Sequence, residues 1–422
     1  MTRTHAFWLA GAMALGVAVV TSLAVAPGGP AVAASDTAIT SRSIAFFEQR
    51  LARDPYNYLA GGQLVARYLM RFQLGANLAD VRRAEVVARS IMPVVSDTAG
   101  AYARLGVVYL TQHKFAEAYD AARRAVGRNA RNQEALGLLF DVAMATGRYA
   151  VAESALSRLT PGRMSHQLRL AHLLTAQGRV HGAYYAMDRA CRQLARAPVR
   201  PQAVAWCMTE LARIEHAREG EAAAAGWLRR ALRVQPGYRG ALEGLADLAY
   251  ARGEWGEAER IYRRIAAEAH PDLYLRLADV VRAQGDSASA RRLDAEFLRV
   301  ARAPGAEALY AHALALFYVD RPEALDSALA VARRDVAHRP AVESYDVLSW
   351  VLYRRGSITA ALAASDRARR WGAPSPTMDY HRALILAALG REAEAAALLR
   401  LALTRPSLLE PHVLRELRRA AD

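Results

Sequence analysis

The chain repeats itself. A stretch of about 34 residues with a fixed order of aromatic, small and apolar positions returns in tandem from near residue 55 to near residue 405. Its clearest copy is residues 99–132, AGAYARLGVVYLTQHKFAEAYDAARRAVGRNARN. Tyr102, Leu105 and Tyr109 fall on one face of a first helix, because residues three and four apart coincide on a 3.6-residue period. Phe115 closes a turn, and Ala118, Ala122 and Ala125 line a second helix. Gly106 and Ala118 have little bulk, so the two antiparallel helices can approach closely. A unit this short cannot bury its apolar face alone and must stack on its neighbours. Ala, Leu, Arg and Glu dominate the chain, and these are good helix formers. No regular alternation bounded by turn residues reads as strand.

The order returns in residues 133–159, 164–195, 205–236, 239–269, 271–303, 342–372 and 376–404. Gly147, Gly178, Gly253, Gly285, Gly356 and Gly390 stand where two paired helices meet, a place that favours positive φ. Several places depart from the order. Residues 55–92 match only through Ala84, Ala88 and Ile91, and Phe72 to Leu78 lengthens their first turn. Residues 306–338 lack the turn glycine and carry Asp320-Arg321-Pro322 instead. Arg382 falls at an apolar position, where its stem can pack while its charge reaches water. Residues 196–204, RAPVRPQAV, break the spacing with Pro198 and Pro201.

The spacing of Tyr102, Leu105, Gly106 and Tyr109, with small residues at 118, 122 and 125, resembles the tetratricopeptide repeat family. The resemblance implies an all-α, tetratricopeptide-type α-solenoid, a right-handed superhelix of antiparallel helix pairs. It divides the chain into residues 35–54 (leader and first helix), 55–195 (first repeat block), 196–204 (connector) and 205–405 (second repeat block). A capping helix follows at 406–422, where Leu408 to Ala420 is apolar on one face and Arg-rich on the other.

First helices line the concave face in that family, and the face holds a protein or peptide partner. Carrying the register over marks Asp141, His172, Arg213, His216, Asp247, Tyr250, Asp279, Arg282, Trp350 and Tyr353 as groove residues. They do not match the Lys/Asn/Arg clamp that some members use for a C-terminal carboxylate. Asp141, Asp247 and Asp279 occupy equivalent points. This suggests an acidic groove for Arg or Lys side chains, with Tyr250, Trp350 and Tyr353 stacking on them. The alternative is that the Asp residues pair with arginines of neighbouring repeats, and that Trp350 and Tyr353 are core.

Residues 1–34 read as a secretory signal. Arg3 precedes the apolar run Ala6 to Ala26, Pro27 to Pro30 break it, and Ala31-Val32-Ala33 offers small-x-small residues for cleavage. The run is also long enough to span a bilayer as an uncleaved anchor through residues 6–26. Either way the body is expected outside the cytoplasm: periplasmic, cell-surface or secreted. In such a compartment Cys191 and Cys207 form a disulfide or remain two buried thiols.

The formal charge is +15, carried almost wholly by arginine, since Lys114 is the only lysine. It is spread through every repeat, so it reads first as a solvated shell. A second reading is a basic convex face that binds an anionic membrane surface or envelope polymer; export argues against nucleic acid. A phosphate-binding loop, H-E-x-x-H and G-x-S-x-G are all missing from the sequence. His166 and His172 do not share a helical face. Neither enzymatic activity nor a cofactor or metal is expected. The sequence therefore predicts an exported interaction scaffold or assembly factor.

Overall fold

The computed structural model describes residues 36–75, 77–94, 98–197, 201–266, 271–370, 375–404 and 409. The expected signal segment, and the expected capping helix apart from Leu409, lie outside them. The described residues form 21 α-helices and no strand. Helix α1 (Asp36–Arg53) is followed by ten antiparallel pairs. The first four are α2 with α3 (Tyr58–Gly75, Leu78–Ile91), α4 with α5 (Thr98–Thr111, Phe115–Arg128), α6 with α7 (Gln133–Ala145, Tyr149–Ser157) and α8 with α9 (Met164–Ala176, Val180–Arg196). Next come α10 with α11 (Pro201–Glu219, Glu221–Val234), α12 with α13 (Arg239–Ala251, Trp255–Ala266) and α14 with α15 (Pro271–Ala283, Ser287–Ala301). The last three are α16 with α17 (Ala311–Val319, Leu325–His338), α18 with α19 (Val342–Arg354, Ile358–Ala368) and α20 with α21 (Pro376–Ala388, Glu392–Leu403).

Local chemistry starts and stops these helices. Asn77, Asn132, Asp286 and Ser375 each accept a hydrogen bond from a backbone N–H of the first turn they cap. The six turn glycines all have positive φ. In the turn between α4 and α5 the same left-handed place is held by His113, at φ 56°. Close packing depends on missing side chains. A Cβ on Gly106 would stand 2.4 Å from Leu138 and 3.2 Å from Ala121. The stretch read as a polar leader is helical from Asp36. Thr40 and Ile44 are buried on its inward face, with Phe47 and Leu51 packed beside them.

Each first helix touches the first helix of the next pair along much of the array, as in α4 with α6, α6 with α8 and α10 with α12. Second helices make no comparable contact with one another. First helices therefore form an inner layer and second helices an outer one, and the array curves toward the inner layer. Apolar clusters follow one another along it without a single centre, the first reaching from Ile44 to Leu173. Between α9 and α10 a disulfide joins Cys191 to Cys207, 16 residues apart, bridging the segment that breaks the repeat spacing.

The curvature brings the array back onto itself. Arg82 of α3 donates to the Pro304 carbonyl at 2.8 Å, across 222 residues of sequence. Tyr149 accepts from the Val342 N–H at 3.4 Å, across 193 residues, and a Cβ on Gly147 would stand 2.3 Å from the Pro340 carbonyl oxygen. His113 faces the Ala308 backbone, Asp335 and Arg339. Leu78 and Leu309 each pack against both the first and the last large apolar cluster. One superhelical turn thus closes in about six pairs, with the turns of α2–α7 seated on the connections after α15 and α17.

Both poorly matching segments lie in this seam. The irregular residues before α16 supply the Pro304 carbonyl and Leu309, and the lengthened turn supplies Leu78. Arg382 is half-buried and, where the sequence suggested a charge reaching water, it finds partners on the preceding helix. Its guanidinium reaches Asp366 at 2.7 Å and Ser365 at 3.1 Å.

Candidate functional site

Packing within and between successive repeats occupies much of the inner face. Six of the ten expected groove residues are buried: Asp141, His172, Asp247, Tyr250, Asp279 and Trp350. Arg213, His216, Arg282 and Tyr353 are half-buried, and none of the ten is exposed.

The buried acids are occupied within the frame. Asp141 on α6, 1% exposed, takes two hydrogen bonds from Arg169 on α8, at 2.6 and 3.1 Å. Arg169 also reaches the Gly137 carbonyl at 3.1 Å, and a Cβ on Gly137 would stand 2.6 Å from this guanidinium. Burial pushes Asp141 up to about 6, with Arg169 working against the rise. Asp247 on α12 repeats the arrangement with Arg276 on α14, at 2.6 and 2.7 Å, and also accepts from Tyr262. Asp279 pairs with Arg282 at 2.8 Å. Arg282 continues to Asp294 at 2.8 Å, and Asp294 to Arg321 at 2.7 Å. Asp141 and Asp247 thus pair with arginines of the neighbouring repeat, the alternative the sequence offered, and Asp279 pairs within its own helix; a buried carboxylate without a partner is costly.

The aromatic residues are likewise engaged. Trp350, 3% exposed, lies between Tyr353 (centroids 5.3 Å apart, 19° between planes) and His381 (4.4 Å, 15°). His381 is itself held by Asp346 of the preceding first helix at 3.1 Å. Tyr250 meets Trp255 edge-on at 4.9 Å. Trp350 and Tyr250 thus belong to the packed frame, and Tyr353 keeps one accessible edge.

Around α8, α10 and α12 the inner layer is polar and less well satisfied. Glu210, fully buried, is ion-paired with Arg213, yet its Oε2 has no partner. The same is true of Nδ1 of buried His172 and Nε2 of His216. Burial pushes Glu210 up to about 7, opposed by Arg213. Burial pushes His172 down to about 4, helped by Arg169 and Arg213. His216 is lowered by burial, with Asp247 partly offsetting it. Arg169, Arg276, Glu210 and His381 were missed in the sequence. A signal did exist for the first two, since Arg169 follows Asp141 by 28 residues and Arg276 follows Asp247 by 29, near one repeat each.

Among the described residues no three His, Cys, Asp or Glu side chains converge to hold a metal, and no helix is long and apolar enough to cross a membrane. The class defined by these features is an α-solenoid of tetratricopeptide-type helix pairs whose successive turns touch.

Comparisons with known proteins add likenesses of fold alone. No protein-family model and no curated protein matches the chain. PilW, a type IV pilus biogenesis factor, is similar at 15% identity and a TM-score of 0.40, over 51% of this chain and 99% of PilW. Yeast Tom70 is similar at 11% identity and 0.40, over 92% of this chain and 96% of its own. Human IFIT1, solved with m7Gppp-AAAA, is similar at 12% identity and 0.46, over 80% and 95%. These values do not carry a partner or activity across to this chain.

Proposed function

We propose that the chain is an exported protein-interaction scaffold or assembly factor that receives a peptide segment on the inner face of α8, α10 and α12. The carrying observation is the set of unmet polar atoms there: Glu210 Oε2, His172 Nδ1 and His216 Nε2. Each buried polar atom left unpaired costs about 1–3 kcal/mol, so side-chain turns that bring these atoms out to a segment lying on half-buried Arg213 and His216 are rewarded. The mixture of an acidic oxygen with imidazole nitrogens suits the alternating N–H and C=O groups of a peptide better than a single charged side chain. The half-buried Arg213 and His216 mark where such a segment reaches the inner layer. Export rests on the pattern of residues 1–34, with an apolar run, helix breakers and a small-x-small site.

A photo-cross-linking residue placed at His216, and in parallel at exposed Arg123 on the outer layer, tests this in the native cell. The reading expects one protein to be captured at position 216 and not at 123. Capture at neither position, or at 123 alone, would contradict it.

A further inference from the structure

Six second helices carry a pair of adjacent arginines, at 82–83, 123–124, 229–230, 263–264, 291–292 and 333–334. Five of these pairs lie between two buried residues three apart: Val81 and Ala84, Ala122 and Ala125, Leu228 and Ala231, Tyr262 and Ile265, Ala332 and Asp335. Positions i and i+3 share the face that packs inward, so i+1 and i+2 point away from it. All twelve arginines are exposed. The pair on α3 is drawn into the seam through Arg82. The other five form a series along the outer layer, on α5, α11, α13, α15 and α17.

Their wiring separates them from the other surface arginines. Arg260, Arg299 and Arg391 are exposed but held by a carboxylate of their own helix at 2.5–2.6 Å. In the series, Arg123, Arg229, Arg264, Arg291 and Arg333 have no carboxylate within ion-pair distance among the described residues. Their charge is open to an external anion.

Closure decides what shape of anion fits. His113, just before α5, faces Asp335 and Arg339 near the end of α17, so the start of the helix that carries Arg123 meets the end of the helix that carries Arg333. Arg229 on α11 lies about midway round the turn between them. A flat anionic surface that meets Arg123 and Arg333 cannot also meet Arg229; a flexible chain can follow all of them.

We propose that these outer arginines form a track for a linear polyanion, a flexible polymer with closely spaced phosphate or carboxylate groups, wrapped round the solenoid. Neutralising phosphates displaces condensed counterions, so such binding is steeply salt-dependent. It is independent of the inner-face scaffold reading.

The test uses the full chain and three probes: long-chain inorganic polyphosphate, a polyuronate and single-stranded DNA, each titrated at several salt concentrations. Which probe binds tightest identifies the source of the anionic groups. Two charge-matched variants are compared, Arg123→Gln/Arg229→Gln/Arg333→Gln and Arg260→Gln/Arg299→Gln/Arg391→Gln, after circular dichroism shows both folded. The first should weaken binding by about tenfold or more and flatten the salt dependence, and the second by less than about threefold. Equal losses in the two variants would show a response to net charge alone and overturn the track. So would failure of all three probes to bind. Binding to vesicles rich in phosphatidylglycerol that depends on Arg123 and Arg333 but not on Arg229 would assign the face to a membrane and overturn it as well.

Discussion

Arginines on the first helices and arginines on the second helices have the same side chain and opposite surroundings. Arg169 and Arg276 sit inside, locked to Asp141 and Asp247 of the neighbouring pair. Arg123, Arg229 and Arg333 sit outside without a carboxylate. The difference follows from curvature. First helices crowd together on the inner side, where a guanidinium has lost water and must be matched, whereas second helices splay apart into solvent that solvates the charge for them. Inner arginines such as Arg169 and Arg276 are therefore frame, whereas Arg123, Arg229 and Arg333 on the outer layer keep their charge in solvent.

The comparison breaks most visibly where an inner pair is broken. Asp141→Ala leaves the Arg169 guanidinium buried without its carboxylate and is expected to destabilise by about 3–5 kcal/mol, read from the urea midpoint. Reducing the Cys191–Cys207 disulfide frees an outer helix, α9, from an inner one, α10. This should cost about 3 kcal/mol by the loop-entropy argument, read from melting with and without reductant. Gly147→Ala places a methyl against the Pro340 backbone at positive φ, and about 1–3 kcal/mol is expected with a looser seam, visible as a larger radius in scattering.

A titration sharpens the inner side of the comparison. Folded Glu210 holds its proton up to about pH 7, while the unfolded chain releases it near 4.5. Folding therefore takes up a proton across that window, and this contribution to stability grows as pH falls from 7 to 4.5 and is lost as pH rises through 7. Melting curves should show wild type gaining up to about 3 kcal/mol over Glu210→Gln between pH 7.5 and 4.5. His172 and His113 push the other way in both proteins and cancel in the difference. On the outer side, Arg123→Gln should change stability by less than about 0.5 kcal/mol in the same melts.

Much of the frame was legible in the sequence because it is local. Turn glycines, small residues at 106 and 118, and the 3.6-residue period fix each pair from within its own 34 or so residues. The residues marked by the register all lie on first helices. What it could not carry was closure. Contacts such as Arg82 with Pro304 join residues 222 apart, where no periodicity connects them. The lengthened turn at 72–78 and the irregular segment before α16 were visible only as departures from the pattern, and the structure turns them into a seam. Of the two readings of Asp141, Asp247 and Trp350, the packed one fits: their partners Arg169, Arg276 and His381 lie in the next repeat, about one period on, so these contacts do not depend on the seam.

The enclosed inner face rests on that seam, and one distance tests it. Spin labels on Arg83→Cys and Ala308→Cys, both exposed beside the Arg82–Pro304 contact and placed with the native disulfide intact, report whether the turns touch. A closed turn predicts strong dipolar coupling that weakens when Gly147→Ala is added. Coupling no greater than in singly labelled protein would mean an open superhelix and would contradict the account.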